Sequence, residues 1–272
     1  MIMTTSLIGA SWAMPFSPHS HRISNSDWSK IIKSCGRSLL MLSKTSSRAV
    51  LFDLDGTLTD PKPGITRCIQ EALSKLGHTA LDAEDLCWCI GPPLQQSFAE
   101  LLQNSDQALI DLAVSFYRDR YSTIGLFENR LYPQIAEFLQ SVRAAGHQTF
   151  VATSKPQTYA VRIIDHFALS PLFDRVYGSE LDGTRSHKGD LIHHILQTEQ
   201  IVSTDAVMIG DRKHDMIGAK QNGVCAIGVT YGYGTASELA LHGADFIVDS
   251  LDHLPALIET IFSKAERSCV AS

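Results

Sequence analysis

The sequence predicts an α/β fold, a doubly wound parallel sheet with an inserted α-helical domain. From Leu131 onward, short apolar runs alternate with segments of helical periodicity, which is the pattern of a parallel sheet covered by helices on both faces. Between residues 64 and 129 only helical periodicity is found, directly after a first strand. These two observations place a helical insertion inside a strand-and-helix core.

The first predicted strand ends in two aspartates. The apolar run Ala49–Phe52 indicates a buried parallel strand, and Asp53 and Asp55 follow it one residue apart. Gly56 permits a turn that points both carboxylates toward one place. Active sites of open α/β sheets lie at the carboxyl ends of the strands, so we expect a nucleophile, a proton donor and a metal site here. Taken alone, Asp-Gly is also an ordinary turn signal.

The inserted block contains three apolar stripes at helical spacing, which begin near Ile65, Leu94 and Ile110. Gly77 is a candidate cap at the end of the first helix, and Gly91-Pro92-Pro93 breaks the chain before the second. No strand is evident within this block or at its end.

The remaining chain predicts strands and helices in alternation. Apolar runs predict strands at Gln148–Thr153, Phe173–Gly178, Ala206–Gly210, Cys225–Val229 and Asp245–Val248. Helical periodicity predicts helices at Pro133–Ala145, Pro156–Phe167, His187–Gln197 and Met216–Asn222, near Ser237 and from Leu251.

Two later segments offer groups that suit a phosphate. Thr153 ends a strand, and its hydroxyl with the amides of Ser154 and Lys155 would form an anion site at a helix start, although a plain helix cap explains the same residues. Lys188 also opens a helix, where a cation opposes the helix dipole unless an anion is held there. A solvated lysine is the alternative.

Another apolar strand ends in acids at Asp211 and Asp215. The two residues are four positions apart, so both can face one pocket if the loop turns helically. Mg²⁺ prefers hard oxygen ligands, which Asp53, the backbone carbonyl of Asp55 and Asp211 would supply. Asp215 would orient water or Lys188 beside the metal.

Several other residues with reactive side chains are expected to have structural roles. Lys213 and His214 are predicted to be exposed, and Cys87-Trp-Cys89 to serve in packing, because no second cysteine or histidine pair lies at zinc spacing. The segment Tyr231–Gly234 is predicted to be a turn after a strand.

In this order and spacing, the four segments resemble the haloacid dehalogenase-like hydrolase superfamily. Its four motifs match at Asp53-Leu-Asp55-Gly-Thr, at Thr153, at Lys188, and at Gly210-Asp211 with Asp215. The resemblance extends from about Arg48 to about Phe262. It implies a Rossmann-type core over residues 46–63 and 130–264, and a helical type 1 cap over residues 64–129.

Within the superfamily the chain is most similar to phosphoglycolate phosphatases. This similarity rests on Thr59-Asp60 with Gly64-Ile65, Gly91-Pro92-Pro93, Tyr132-Pro133 and the run from Gly210 to Gly223. Proteins with a very similar last run are nucleoside 5'-monophosphate phosphatases, which is the main alternative. A sugar phosphomutase and a non-catalytic binding protein on the same fold are further alternatives.

The resemblance implies a Mg²⁺-dependent phosphomonoesterase. Asp53 would attack phosphorus and become a phosphoaspartate, while Asp55 would donate a proton to the leaving oxygen and later take one from water. Lys188 and the metal would neutralise the phosphate charge. The groups expected to bind the phosphoryl oxygens are Thr153 and the amides of Leu54 and Ser154. A dehalogenase needs no such proton donor, so Asp55 argues for phosphate ester hydrolysis.

The leaving group would face the insertion. Gly91 and Pro92, with the residues just after them, are expected to contact it. Arg118 and Arg120 could bind a substrate carboxylate bidentately, and a solvated helix face is the alternative for each.

Composition limits the partners. The net charge of −6 argues against a nucleic acid polymer, and the chain has no run of about 20 apolar residues that would span a membrane. The expected partner is a small-molecule phosphate monoester, and a homodimer is left open. Residues 1–45 are serine-rich, basic and nearly free of acids, so they predict an untranslated or disordered extension with cytoplasmic location, or else an organellar transit peptide. Residues 265–272 are predicted to be a tail.

Overall fold

The structure is a computed structural model that describes residues 48–79 and 81–270. The predictions for the N-terminal extension lie outside the described residues. Within the described ranges, no helix is long and apolar enough to cross a membrane.

Six strands form one parallel sheet in the order β5-β4-β1-β6-β7-β8. The described residues contain eight strands, of which β2 and β3 lie outside this sheet: β1 (Ala49–Phe52), β2 (Thr59–Asp60), β3 (Arg130–Leu131), β4 (Gln148–Pro156), β5 (Arg175–Ser179), β6 (Ala206–Gly210), β7 (Cys225–Val229) and β8 (Phe246–Val248). The first strand lies in the middle, with Ala49 level with Gln148 on one side and with Ala206 on the other. The predicted doubly wound parallel sheet is therefore confirmed.

The helices follow the predicted order. They are α1 (Lys62–Lys75), α2 (Leu94–Leu101), α3 (Gln107–Tyr121), α4 (Ile135–Ala144), α5 (Gln157–His166), α6 (Lys188–Glu199), α7 (Lys213–Gln221), α8 (Ala236–Leu241) and α9 (Leu254–Val270). Helix α7 begins three residues before the predicted start at Met216, because the Asp215 side chain accepts a hydrogen bond from the Arg212 amide at 3.1 Å and caps the first turn. A single 3₁₀ turn at Leu251–His253 precedes α9, where the last helix was predicted to start.

Strand β1 is buried on both faces, and its side chains divide the core in two. Val50 and Phe52 pack into a large cluster that includes the helices of the insertion. Ala49 and Leu51 point the other way, into a cluster with α6 and α7. Burial on both faces explains why the strand is a continuous apolar run.

A short antiparallel ribbon marks both ends of the insertion. Strands β2 and β3 pair with Thr59 opposite Leu131, where the chain leaves and re-enters the core. The expectation that no strand lies at the end of the helical block was wrong. Two-residue strands carry no measurable alternation, so the sequence pattern could not reveal them.

Candidate active site

The carboxyl ends of β1, β4 and β6 meet at one edge of the sheet. Asp53 follows β1, Thr153 lies in the last part of β4, and Asp211 follows β6. All three side chains are buried. The parallel order of the sheet thus brings together residues that are as much as 158 positions apart in the chain.

Lys188 enters this edge from the first turn of α6. Its Nζ lies 2.8 Å from Asp53 Oδ1, 2.7 Å from Asp215 Oδ1 and 2.7 Å from the carbonyl oxygen of Ala152. Burial alone would lower the pKa of Lys188, but the charges of Asp215 and Asp53 raise it above its ordinary value. Lys188 is therefore a buried, charged lysine, and the solvated alternative is wrong.

Three buried carboxylates form a cluster beside this lysine. One oxygen each of Asp53, Asp211 and Asp215 lies within 4.8 Å of the others. Burial, followed by the charges of Asp53 and Asp215, raises the pKa of Asp211 well above its ordinary value. Burial also raises the pKa of Asp215, to about 6. Among the described residues Lys188 is the one side chain ion-paired with the cluster. A divalent cation would balance the remaining negative charge of the carboxylates.

The second aspartate of the first motif has a separate partner. Lys155 Nζ donates to Asp55 Oδ1 at 2.7 Å and lies 5.2 Å from the ring centroid of Tyr121 in the insertion. Burial raises the pKa of Asp55, and the charge of Lys155 offsets part of that rise. Only the amide of Lys155 was predicted to serve the site, whereas its side chain reaches the site as well. A cation two residues after the candidate phosphate-binding Thr153 was the available signal.

Asp211 is held from the far side by the loop after β7. The amide of Tyr233 donates to Asp211 Oδ2 at 2.7 Å, and Thr57 Oγ1 donates to Oδ1 at 3.4 Å. A Cβ atom on Gly232 would lie 2.5 Å from Asp211 Cβ and 2.3 Å from the carbonyl oxygen of Gly56. The loop does follow a strand, as predicted, and it also fixes the orientation of a carboxylate in the cluster.

A cavity opens from Asp53 and Asp55 toward the insertion. Gly91, Pro92, Ser154 and Arg118 all line it, together with Thr153. Leu54 has no exposed surface and is not among the residues that line the cavity. The cavity also has three tyrosine rings in its wall: Tyr117, Tyr121 and Tyr159.

The two arginines of α3 differ in their surroundings. Arg118 lies at the cavity and donates to the carbonyl oxygen of Leu181 at 2.8 Å. Arg120 points elsewhere and donates to Glu128 Oε2 at 2.6 Å and Oε1 at 3.1 Å, with Glu71 beside it. Arg120 is thus a structural residue of the insertion.

Lys213 and His214 are half-buried, so the prediction that they are exposed was wrong. Both belong to the first turn of α7, and α8 covers this turn through Glu238, which accepts from the Lys213 amide at 2.9 Å. Burial lowers the pKa of His214 to about 4, and the positive charge of Arg212 adds to that effect. His214 is therefore a neutral imidazole near neutral pH.

The chain matches a family model described as haloacid dehalogenase-like hydrolase over residues 50–229. It is 46% identical over 211 residues to a 5'-nucleotidase from Pseudomonas aeruginosa, covering 78% of this chain and 95% of that protein. It is 26% identical over 220 residues to a phosphoglycolate phosphatase from Vibrio parahaemolyticus, covering 78% of this chain and 96% of that protein.

The fold agrees with a solved relative. The crystal structure of a predicted phosphatase from Clostridium acetobutylicum superposes with a TM-score of 0.76 and is 42% identical, covering 79% of this chain and all of that one. The family match spans well over half of the chain, and the helical insertion between β1 and β4 has its counterpart in these relatives. The chain therefore belongs to the haloacid dehalogenase-like hydrolases and is a phosphatase of that family, acting on a small phosphorylated substrate.

Proposed function

We propose that the protein is a Mg²⁺-dependent phosphatase of nucleoside 5'-monophosphates that works through a phosphoaspartate on Asp53. The similarities favour this alternative over phosphoglycolate, since the 5'-nucleotidase shares 46% of aligned residues and the phosphoglycolate phosphatase 26%. We therefore give up phosphoglycolate as the leading substrate.

We infer the substrate class from the aromatic residues in the wall of the cavity. The half-buried Tyr159 packs edge-to-face against the buried Tyr121 at 5.5 Å, and Tyr121 is stacked on the buried Tyr117 at 5.0 Å, so the aromatic surface open to a ligand beyond Asp55 is mainly that of Tyr159. Aromatic surface suits a nucleoside. Of the two cations among the described residues that line the cavity, Lys155 is ion-paired with Asp55, and Arg118 donates one hydrogen bond to the Leu181 carbonyl and is the candidate for a glycolate carboxylate.

In the first step Asp53 attacks phosphorus in line with the ester oxygen. The new bond joins a carboxylate oxygen of Asp53 to phosphorus, and the bond between phosphorus and the ester oxygen breaks. Asp55 transfers its proton to that departing oxygen, a role for which its raised pKa is suited. Lys188 contacts Asp53, and its positive charge would offset the repulsion between the attacking carboxylate and the negatively charged phosphoryl group.

In the second step water cleaves the phosphoaspartate. Asp55, now ionised, accepts a proton from the water, whose oxygen bonds to phosphorus and releases Asp53. Thr153 and the backbone amides of Leu54 and Ser154 would hold the phosphoryl oxygens through both steps. Positioning and charge neutralisation supply most of the rate enhancement in this class of reaction.

The acidic cluster fits a magnesium ion. Asp53, Asp211 and the carbonyl of Asp55 would hold it, and Asp215 would stay bonded to Lys188 and to the amide of Arg212. Three buried carboxylates beside one ion-paired lysine leave a negative charge that a hard divalent cation would balance. When bound, the ion supplies electrostatic stabilisation of the transferring phosphoryl group.

The substrate assignment is tested by kcat/KM with Mg²⁺ for nucleoside monophosphates, phosphoglycolate and glycerol phosphate. We expect the nucleotides to exceed phosphoglycolate by at least about tenfold. Tyr159→Leu should lower kcat/KM for nucleotides by about tenfold and leave glycerol phosphate nearly unchanged, because base stacking on an aromatic ring contributes about 1–3 kcal/mol.

The matched variant is Arg118→Met at the same cavity. If phosphoglycolate were the substrate, this variant would lose that activity selectively and the wild-type protein would favour phosphoglycolate. That pair of results would overturn the nucleotide assignment while leaving the phosphatase chemistry intact.

A further inference from the structure

Arg212 spans the boundary between the acidic cluster and the insertion. It lies between Asp211 and the first residue of α7, and it is 8% exposed. Its Nη1 donates to the carbonyl oxygen of Ile90, and its Nε donates to Glu238 Oε1 at 3.1 Å. Its backbone amide donates to Asp215 Oδ2 at 3.1 Å. One residue therefore contacts the cluster, α8 and the insertion.

The segment that Arg212 contacts borders the cavity. Ile90 is directly followed by Gly91 and Pro92, which line the cavity together with Asp53 and Asp55. Gly91 has a φ of +105°, and a Cβ atom there would lie 3.0 Å from Arg212 Cγ. The backbone turns at Gly91 directly against the arginine stem, so the position of this turn depends on where the arginine is held.

Glu238 fixes the arginine in turn. Its Oε1 accepts from Arg212 Nε and from the amide of Lys213 at 2.9 Å, and its own amide is capped by Thr235 Oγ1 at 3.1 Å. A guanidinium can donate to the Glu238 carboxylate and the Ile90 carbonyl at once because its donors form a rigid fork. A lysine, with a single charged nitrogen, cannot span both acceptors from the same stem.

We infer that Arg212 is a positioning residue that holds the Ile90–Pro92 turn of the insertion against the metal-binding loop and so sets the affinity for the leaving group. The inference rests on the proposed placement of this turn beside the leaving group, and not on which phosphate ester is hydrolysed. Arg212 acts through the turn, so the loss of its side chain weakens substrate binding more than turnover.

The first measurement determines KM and kcat separately for Arg212→Met and Arg212→Lys and compares them with the wild-type values. We expect KM for a nucleoside monophosphate to rise about tenfold in Arg212→Met, because a charged hydrogen bond to the turn is lost, with kcat changed less than threefold. Arg212→Lys should give an intermediate KM. Arg175→Met is the matched control, since Arg175 pairs with Glu199 and is not among the cavity-lining residues.

The second measurement reports the turn itself. Cys89 directly precedes Ile90, is 4% exposed and lines the cavity. We expect a thiol reagent to modify Cys89 at least about fivefold faster in Arg212→Met than in the wild type, with the site read by peptide mass spectrometry. Unchanged modification of Cys225 serves as the internal control for global unfolding.

A KM and a Cys89 rate both within twofold of the wild type in folded Arg212→Met would overturn the inference. If Arg212→Met does not fold, Gly91→Ala provides the test. The new Cβ atom would press against the Arg212 side chain, and the positive φ at position 91 would be strained for alanine. That variant should raise KM and expose Cys89 in the same way, and wild-type values would contradict the inference. A wild-type protein without phosphatase turnover would instead count against the proposed function.

Discussion

Lys155 Nζ donates to Asp55 Oδ1 at 2.7 Å, joining two residues one hundred positions apart. Both side chains are less than one-tenth exposed. The contact fixes the orientation of the carboxyl group proposed to protonate the leaving oxygen. It also connects the core to the insertion, since Lys155 lies over Tyr121.

Lys155→Met should lower kcat for an alkyl phosphate by about 10- to 100-fold, because a misplaced acid loses part of the 10²- to 10⁴-fold contribution of general acid catalysis. An aryl phosphate leaves with little help from a proton and should lose less than about fivefold. The measurement compares kcat for both substrates, with Lys75→Met as the exposed control. Equal losses on both substrates would contradict a role through Asp55.

Asp211→Asn should raise the Mg²⁺ concentration for half-maximal activity by at least about tenfold, because a ligand charge is removed from the cluster. Chelation of divalent ions should abolish turnover of the wild type, and added Mg²⁺ should restore it. A magnesium titration of activity checks both statements. Asp182→Asn, at an exposed loop, is the control, and identical titrations for the two variants would remove Asp211 from the metal site.

Gly232→Ala should displace Asp211, because the new Cβ would lie 2.5 Å from Asp211 Cβ. We expect the magnesium requirement to rise in the same direction as in Asp211→Asn, and unfolding to be easier by about 1–3 kcal/mol from overpacking. Gly77→Ala has open space around its Cβ and only a positive φ, so it should cost about 1 kcal/mol and leave the magnesium titration unchanged. A normal magnesium titration of Gly232→Ala would argue that the loop does not orient Asp211.

Glu128→Gln should reduce the free energy of unfolding by about 1 kcal/mol at pH 7, since charged hydrogen bonds with Arg120 and Arg67 are lost. These hydrogen bonds, that from Arg120 above all, hold the pKa of Glu128 below its ordinary value of 4.5. A depressed folded pKa means that the stabilisation is complete above pH 4.5 and is lost as the pH falls through the folded value.

Urea unfolding of the wild type and Glu128→Gln between pH 3 and pH 7 measures this difference. The gap between the two proteins should close toward pH 3. A gap that is the same at both ends of the range would mean that the charge of Glu128 contributes nothing.

Much of the core was predictable because a parallel sheet orders its strand ends. The positions of Asp53, Thr153 and Asp211 at one edge follow from three apolar runs that each end in a polar residue. Helix starts were also predictable where a proline or a change of period marks them.

Contacts between distant side chains were not predictable. The partners of Lys155 and Arg212 lie 100 and 122 positions away, and no local period reports such a pairing. The prediction that His214 is exposed was wrong for the same reason. Its burial depends on α8, which packs over a segment whose residues are polar. The sequence therefore predicts which groups reach the site more securely than how neighbouring groups hold them.

In the proposed mechanism Asp53 carries the phosphoryl group. Rapid acid quenching of the protein during turnover with Mg²⁺, followed by peptide mass spectrometry, tests it directly. We predict a phosphoryl group on the peptide that contains Asp53, and specifically on that residue. Asp53→Asn, folded as judged by its unfolding transition, should show neither the modification nor turnover. Turnover in Asp53→Asn, or wild-type turnover with phosphate only on another residue, would contradict a phosphoaspartate on Asp53.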